Sequence, residues 1–224
     1  MKDTDHTSLR DLLDPDARRS LMARGQPQHF PPGATIFAEG EPGSALLVID
    51  TGQIEVSTVT RVGRKLVLAY LGPDDIVGEV AVLDEGPRSA TASAISDVTG
   101  RMVGLRDFRA FLIDFPEVHL ALTVELCRKL RTANARLEDR TEKAGDARLA
   151  RAVLRLADKF GTPRPGAIEI PIALSQSDLG DLSGLTRANV NRYIRAWADA
   201  GWVSFDKRTL CILDQDALED LAEA

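Results

Sequence analysis

The feature that most constrains the fold is a stretch without glycine or proline, from Glu117 to Lys143. Apolar residues recur within it at spacings of four, three and four: Leu126, Leu130, Ala133 and Leu137. This spacing is typical of a heptad stripe on one long helix. A narrow apolar stripe needs a partner, so we predict a dimerisation helix and a homodimer. The alternative is that the helix packs only on its own chain.

Short strands are predicted before this helix, from about 28 to 106. An apolar run at 45–49 and two segments of alternating polarity, at 53–59 and 65–71, are separated by residues rich in glycine and proline. Many short strands at roughly ten-residue spacing predict a sandwich or a barrel-like roll. Residues from about 8 to 24 have helical spacing instead, and Asp14-Pro15 divides them into two short helices.

Two short helices joined by a glycine turn are predicted in the C-terminal part. Ser175 and Asp178 have the spacing of a capping box, which opens the first helix, and Gly184 ends it. Thr186 is placed to cap the second helix, which we expect to end near Ala200. This arrangement is typical of a helix-turn-helix.

The second of these helices has a polar face with positive charges and no acid. At about 100 degrees per residue, five residues fall within an arc of about 140 degrees: Arg187, Ala188, Asn191, Arg192 and Arg195. Arginine and asparagine match the edges of guanine and adenine in the major groove. We therefore predict that this face reads DNA, with Thr186 beside it. The alternative is an ordinary solvated face.

A basic hairpin is predicted directly after these helices. Residues 202–205 and 209–213 have strand composition and flank Asp206-Lys207-Arg208. A hairpin with a basic tip suits backbone phosphates, and Lys207 is the candidate contact. Its position after the two helices predicts a winged helix-turn-helix.

The composition is that of a globular chain. Of 224 residues, 44% are hydrophobic and 28% charged, and the net charge of -6 argues against general coating of nucleic acid. A small basic reading surface remains compatible with that charge. The N-terminal residues lack the apolar centre of a signal peptide, and no apolar run could span a bilayer. We expect a cytoplasmic protein without membrane contact.

The segment from Gly78 to Thr91 offers the groups needed to bind a ribose phosphate. Gly78 lets the backbone approach a ligand, and the residues after it can present N–H groups to an anion. Glu79 can accept a hydrogen bond from a ribose hydroxyl. Arg88 can hold a phosphate through two parallel hydrogen bonds, and Ser89 can donate another. The alternative is a surface hairpin with an incidental arginine and glutamate.

This segment resembles the phosphate-binding cassette of cyclic-nucleotide-binding domains. Nearly the whole chain resembles the cyclic-AMP receptor protein/FNR (Crp-Fnr) family of bacterial transcription regulators. The resemblance implies that Glu79 binds the ribose 2′-hydroxyl and that Arg88 pairs with the cyclic phosphate. It implies that four further residues complete the ligand site: Gly78, Val80, Ser89 and Ala90.

The resemblance also implies an architecture and a set of partners. The fold class is α+β, with an antiparallel, jelly-roll-like β-roll, a long dimerisation helix and a winged helix-turn-helix. We predict three parts: the cyclic-nucleotide-binding roll with short helices (1–116), the dimerisation helix (117–144) and the DNA-binding domain (145–224). Asp146 is the predicted cap of the first helix of the last part, which should end near Gly161. The implied partners are cyclic AMP, a double-stranded DNA operator and RNA polymerase.

Two positions depart from the family pattern. The family places two polar residues of the long helix at the purine, and these positions are Ala133 and Asn134 here. Ala133 lacks the hydroxyl usual in cyclic-AMP responders, so cyclic GMP, a cyclic dinucleotide or nucleotide-independent binding remain alternatives. Arg187 and Arg192 align with the family's guanine-reading arginines, whereas Ala188 replaces a glutamate that would bind cytosine.

Other ligands and activities are less compatible with the sequence. Two isolated cysteines, Cys127 and Cys211, argue against an iron–sulfur cluster. His29 is expected just before the first roll strand and His119 at the start of the long helix; neither has an obvious partner for haem or a metal. There is no nucleophile–base pair or catalytic glycine-rich loop, which argues against an enzyme.

Overall fold

The computed structural model describes residues 13–60, 63, 65–142 and 144–223, and only the backbone of 136–142. The described chain forms two compact units, which meet in sequence at Lys129 and Leu130. The first described helix, α1 (Pro15–Arg24), is capped by Asp14, whose Oδ1 accepts from the backbone N–H groups of Asp16 and Ala17 at 2.9 and 2.7 Å. The predicted break at Asp14-Pro15 is therefore confirmed. The helix predicted before it lies outside the described residues.

Eight strands in the described part of the first unit form two four-stranded antiparallel sheets. The strands are β1 (Gln26–Phe30), β2 (Thr35–Phe37), β3 (Ala45–Thr51), β4 (Ile54–Val59), β5 (Lys65–Leu71), β6 (Ile76–Val77), β7 (Thr91–Ala94) and β8 (Val98–Gly104). Their orders are β1-β8-β3-β6 and β2-β7-β4-β5. The apolar cluster of Phe37, Leu47, Ile54 and Val98 is buried between them. The predicted antiparallel roll is confirmed.

Three helices follow or interrupt these strands. They are α2 (Glu79–Leu83), α3 (Leu105–Asp114) and α4 (Glu117–Glu142). Phe108 and Phe111 of α3 pack with Val118 and Leu122 of α4 in a second buried cluster beside β3 and β8. The first turns of α4 are thereby fixed to their own roll, in the same unit as the predicted ligand segment.

The outward face of α4 differs from the predicted stripe. Leu130 is 62% exposed and Ala133 is exposed, as a stripe awaiting a partner should be, but Leu126 is half-buried. The side chain of Leu137 lies outside the described residues. Two exposed apolar positions nearer the helix start were not predicted, Leu120 and Val124, and Cys127 beside them is also exposed.

The second unit contains the remaining helices and one small sheet. The elements are α5 (Gly145–Phe160), β9 (Thr162–Arg164), β10 (Ala167–Ile170), α6 (Gln176–Ser183), α7 (Arg187–Asp199), β11 (Val203–Asp206), β12 (Thr209–Ile212) and α8 (Gln215–Glu223). The sheet is antiparallel, with the order β11-β12-β10-β9. A helix-turn-helix followed by a two-stranded wing is the predicted arrangement, and the α+β class is confirmed.

One predicted cap is wrong. Helix α5 begins at Gly145 with Ala144 as its N-cap residue, so Asp146 lies inside the first turn. There its carboxylate accepts from the N–H of Ala147 at 3.0 Å, which still favours the helix start. The predicted end near Gly161 is confirmed. Among the described residues, no helix is both long and apolar enough to cross a membrane.

Candidate functional site

The predicted ligand segment begins with a glycine that no other residue could replace without strain. Gly78 has a left-handed backbone with φ of 89° and forms the N-cap of α2. A Cβ atom placed there would lie 2.6 Å from Nη1 of Arg88 and 2.8 Å from Cε2 of Phe37. Backbone conformation and space therefore both require glycine, as expected where a backbone is approached closely.

Arg88 is buried next to this glycine, with 5% of its surface exposed. Its Nη1 donates to the carbonyl oxygen of Gly78 at 2.9 Å and its Nη2 to that of Ala45 at 2.6 Å. The guanidinium lies 3.7 Å from the ring centroid of Phe37, a cation–π contact. Burial lowers the pKa of Arg88, while Glu41 and Glu79 oppose that effect from a distance.

The backbone around Arg88 is fixed by an adjacent loop. Its N–H donates to the carbonyl of Glu41 at 2.7 Å, and its own carbonyl accepts from Gly40 at 2.9 Å. Ser89 is exposed directly beyond, and Ala90 is half-buried. The hydrogen bonds to Gly40 and Glu41 fix the backbone of Arg88, and the hydroxyl group of Ser89 remains accessible.

Glu79 is the second buried charge of the segment, with 7% of its surface exposed. Its Oε1 is 2.6 Å from Nζ of Lys129, which projects from α4. Burial by itself would lower the pKa of Lys129, but the ion pair and hydrogen bond with Glu79, with Glu125 nearby, raise it. Lys129 therefore orients the side chain of Glu79 within the roll unit.

Lys129 was not among the predicted site residues. It lies four residues, one helical turn, before Ala133, and this spacing is the signal that would have indicated it. A further turn back, Glu125 adds a second acid beside the lysine. Burial raises the pKa of Glu125, and the cations Lys129 and Arg128 oppose this only in part. A network of alternating charge thus joins α4 to the ligand segment.

The predicted purine-contacting residues belong to the other unit. Ala133 and Asn134 are both exposed on α4. Val80, predicted at the ligand, is half-buried on α2. Gly78, Glu79 and Arg88 therefore belong to the same unit. The predicted ligand contacts of Val80, Ala133 and Asn134 stay predictions.

The helix-turn-helix has the predicted local chemistry. Ser175 and Asp178 form a reciprocal capping box: the N–H of Ser175 donates to Oδ2 of Asp178 at 2.7 Å, and the N–H of Asp178 to Oγ of Ser175 at 3.1 Å. Gly184 ends α6 in the left-handed conformation, with φ of 69°. Thr186 caps α7 by accepting from the N–H of Asn189 at 3.3 Å.

The polar face of α7 is presented as predicted. Val190, Ile194 and Trp197 are buried on the opposite side. Four residues of the predicted face are exposed: Arg187, Ala188, Arg192 and Arg195. The fifth, Asn191, is half-buried. Oδ1 of Asn191 accepts from Nε2 of Gln176 at 3.1 Å, so the first helix holds this amide. Gln176 had not been predicted as part of the face.

The wing tip contains two residues with left-handed backbones. Lys207 and Arg208 have φ of 45° and 71°, the conformation that a two-residue hairpin turn requires. Lys207 is exposed at the tip. Arg208 instead donates from Nη2 to the carbonyl of Ala173 at 3.0 Å and lies 3.6 Å from Oδ2 of Asp178. The two adjacent cations therefore have different surroundings.

A cleft of about 430 Å³ lies between the wing and the two helices. Its lining includes hydroxyl, amide and cationic side chains, among them Ser175, Ser177, Gln176, Arg187 and Arg208. The start of α6 also contributes backbone N–H groups at the positive end of its dipole. Such a surface is suited to a phosphate backbone.

Within the described ranges, no group of three or more histidine, cysteine, aspartate or glutamate residues could hold a metal. His29 lies within β1, not before it as predicted, and its Nε2 contacts Asp97. The strand begins at Gln26 because pairing with β8 extends to Met102. Cys211 lies in β12, as predicted.

Two family models match the chain. Residues 27–114 match the cyclic nucleotide-binding domain, and residues 147–221 match the Crp-like helix-turn-helix domain. The first match contains Gly78, Glu79 and Arg88. The second contains the whole of α6, α7 and the wing.

Individual proteins are similar over nearly the full length. A CRP-like cAMP-activated global transcriptional regulator of Mycobacterium tuberculosis is 34% identical over 206 residues, 92% of each chain. The cyclic AMP receptor protein of Thermus thermophilus is 30% identical over 210 residues, 94% of each chain. The structure of FixK2 from Bradyrhizobium japonicum has a TM-score of 0.76 and 24% identity, covering 89% of this chain and 98% of that one. This last similarity concerns the fold alone.

Proposed function

Since this chain belongs to the Crp-Fnr family of transcription regulators, we propose that cyclic AMP is the ligand that controls it. The family consists of DNA-binding regulators and not of enzymes. The chain is accordingly a cyclic-nucleotide-regulated DNA-binding protein. We propose in addition how the chain assembles and which residues contact the nucleotide and the DNA.

The observation that carries the proposal is the buried guanidinium of Arg88. Among the described residues, its side chain donates to two neutral carbonyl groups and forms no ion pair. A buried cation without an anionic partner is unfavourable, because carbonyl dipoles replace only part of its hydration. A cyclic phosphate would supply the missing negative charge through the N–H groups that remain.

Glu79 provides the second half of the recognition. Its carboxylate is buried and oriented by Lys129, so it can accept a hydrogen bond from a ribose 2′-hydroxyl. Ser89 would add a hydroxyl donor, and the backbone at Gly78, Val80 and Ala90 would line the remaining wall. A cyclic ribonucleotide carries both groups, a 2′-hydroxyl for Glu79 and a phosphate for Arg88, on one ribose.

The relatives support cyclic AMP in particular. The Mycobacterium tuberculosis and Thermus thermophilus proteins are both named for cyclic AMP. Both are at least 30% identical to this chain over more than nine-tenths of its length. Within the proposal, Ala133 and Asn134 lie at the purine, and Asn134 reaches the ligand of the other subunit.

The proposed molecule is a homodimer joined along α4. Its three parts would be the ligand-binding roll (1–116), the dimerisation helix (117–144) and the DNA-binding domain (145–224). Exposed apolar side chains on α4, Leu120 and Leu130 among them, support this assembly. Nucleotide binding would favour the arrangement of the dimer that fits DNA, since a ligand shifts a two-state equilibrium by its difference in affinity.

The DNA target would be a double-stranded operator with two half-sites. Arg187 and Arg192 would read guanines, with Asn191, Arg195, Thr186 and Ala188 along the same groove. Lys207 would contact phosphate from the wing. We further propose that the protein works in the cytoplasm with RNA polymerase as a partner.

Ala133 supports a second candidate, regulation by cyclic GMP or a cyclic dinucleotide, or no nucleotide at all. A methyl group cannot form a hydrogen bond with adenine, so the purine preference of this chain is open to test. The experiment is isothermal titration of the full chain with cyclic AMP and cyclic GMP. Tighter binding of cyclic AMP supports the proposal, and binding of cyclic GMP alone or of neither contradicts it.

A substitution at the same position tests the purine contact. Ala133→Thr should tighten cyclic AMP binding by about fivefold, close to 1 kcal/mol, through one added hydrogen bond. Ala135→Thr, at an exposed alanine two residues further along α4, is the matched control and should change nothing. Equal affinities for Ala133→Thr and the unaltered chain would show that position 133 does not face the purine.

A further inference from the structure

The guanidinium of Arg192 does not extend freely from α7. Its Cζ lies 4.8 Å from the ring centroid of Tyr193, and its Nη2 donates to the hydroxyl of Tyr193 at 3.0 Å. Neighbouring residues on a helix point about 100 degrees apart and do not normally face each other. The arginine side chain is therefore bent along the helix surface, where it meets both the face and the hydroxyl of the tyrosine.

Tyr193 is itself fixed by close packing within the same unit. It is half-buried, and its ring lies over the backbone of Gly145, the first residue of α5. A Cβ atom at Gly145 would lie 2.9 Å from the hydroxyl oxygen and 3.3 Å from Cε2 of Tyr193. Gly145 is not among the residues with positive φ, so space and not backbone conformation explains glycine at this position.

The held guanidinium can still bind a base. Arginine has five N–H donors, and the tyrosine hydroxyl accepts one of them. The remaining donors on Arg192 are sufficient for two parallel hydrogen bonds to O6 and N7 of guanine. A guanidinium already held at one place loses less rotational freedom when it binds than a mobile one does.

We propose that Tyr193 is a positioning residue that preorganises Arg192 for base reading, and that Gly145 provides the space that Tyr193 needs. The inference rests on the proposed function, in which Arg192 contacts a guanine. It assigns to Tyr193 no contact with DNA. Arg195 is exposed on the same helix and is not in contact with Tyr193 in any interaction described, so it serves as an internal comparison.

The test uses a duplex selected by the full chain, with cyclic AMP, from a random-sequence pool. The measured quantity is discrimination, the ratio of affinities for this duplex and for single base-pair substitutions of it, at one salt concentration. Tyr193→Leu removes the ring and hydroxyl and should lower discrimination by about tenfold at the base pair that Arg192 reads. Tyr193→Phe keeps the ring and should lower it by about threefold. Affinity for unrelated DNA should not change.

Gly145→Ala tests the supporting contact without altering either side chain. Its Cβ would displace the tyrosine hydroxyl, so we expect a loss of discrimination like that of Tyr193→Phe. Thermal unfolding checks that each variant is folded. Because Tyr193→Phe retains the packing, it tests the inference even if Tyr193→Leu is unstable.

A double-mutant cycle separates this inference from the proposed function. Tyr193→Leu should cause no further loss in the Arg192→Ala background but its full loss in the Arg195→Ala background. Additive losses with Arg192→Ala, or improved discrimination by Tyr193→Leu, would overturn the positioning role and leave base reading by Arg192 intact. If Arg192→Ala itself preserves discrimination at every base pair, the base-reading proposal fails and the inference fails with it.

Discussion

At the scale of single residues, the ligand segment contains two buried charges of opposite sign with different surroundings. Glu79 has a cationic partner in Lys129, whereas the direct contacts of the Arg88 guanidinium within the described part of the chain are carbonyl oxygens and an aromatic face. Burying an ion without a counter-ion costs several kcal/mol, and buried groups of this kind are concentrated at functional sites. This asymmetry supports the proposal that an anion binds at Arg88.

The ion pair of Lys129 predicts a coupled effect on stability and ligand affinity. Lys129→Met should lower the free energy of unfolding by about 2 kcal/mol, because Glu79 would remain buried without its cation. It should also weaken cyclic AMP binding by about tenfold, since the carboxylate loses its orientation. Urea unfolding and isothermal titration measure the two effects.

Lys65→Met is a matched control for that substitution. Lys65 on β5 forms an ion pair with Glu55 on β4 at 2.6 Å, the same distance as between Lys129 and Glu79. Glu55 is about as buried as Glu79. Loss of Lys65 should reduce stability to a similar extent and leave cyclic AMP affinity unchanged. If both variants bind cyclic AMP as the unaltered chain does, Lys129 is only a structural ion-pair partner.

Residues adjacent in sequence could be predicted at the site, and residues brought together by the fold could not. Gly78, Glu79 and Arg88 fall within one short segment whose residue types indicate a phosphate and a ribose. Lys129 lies 50 residues from Glu79 along the chain, and the contact exists only because α4 packs on the roll. Helical periodicity places Tyr193 away from the polar face of α7 and does not show that its ring contacts Arg192.

At the scale of elements, capping chemistry predicted helix ends well where local bonds decide them. The capping box of α6 and the cap of α7 are both formed. The start of α5 was misplaced by two residues, because Ala144 is the N-cap residue, Gly145 joins the helix and Asp146 lies in the first turn. The strands were predicted from alternation and turn residues, and their antiparallel arrangement from the family resemblance. The early start of β1 depends on its partner β8.

The exposed face of α4 predicts an effect of charge on assembly. Leu130→Glu would place two like charges close to the proposed two-fold axis, so the dimer should dissociate. Sedimentation velocity should show monomers, and DNA affinity should fall because two half-sites are no longer held together.

Leu213→Glu, at an exposed leucine after β12, is the control and should remain dimeric. A fully dimeric Leu130→Glu variant would show that this face of α4 is not the dimer contact. The half-buried Leu126 is a poorer position for the same test, because its side chain already packs in part within its own chain.

The wing predicts two distinguishable effects on DNA binding. Lys207→Ala should weaken binding to the selected duplex and to unrelated DNA equally and reduce the salt dependence by about one phosphate contact. Arg192→Ala should weaken binding to the selected duplex far more, by about 1–3 kcal/mol of discrimination. Titrations at several salt concentrations measure both. An equal loss for Arg192→Ala on both duplexes would identify it as a phosphate contact.

At the scale of the whole molecule, the proposed ligand site belongs to the first unit and the proposed DNA-reading face to the second. The helix α4 passes through both: Lys129 contacts Glu79 in the first unit, and Ala133 and Asn134 belong to the second. A ligand that binds at Arg88 and Glu79 can therefore act on the same helix that is proposed to join the dimer. Gating requires that cyclic AMP bind the DNA-competent arrangement more tightly than the other.

The most direct test is the affinity of the full chain for its selected duplex with and without cyclic AMP. We expect cyclic AMP to tighten DNA binding at least tenfold, about 1.4 kcal/mol. The Arg88→Leu variant should remain a folded dimer and lose this response. Arg88→Gln, which can still donate to one carbonyl, should behave in the same way and guards against a folding defect. An unaltered chain whose DNA affinity ignores cyclic AMP, or a folded Arg88 variant that responds as fully as the unaltered chain, would contradict the proposal.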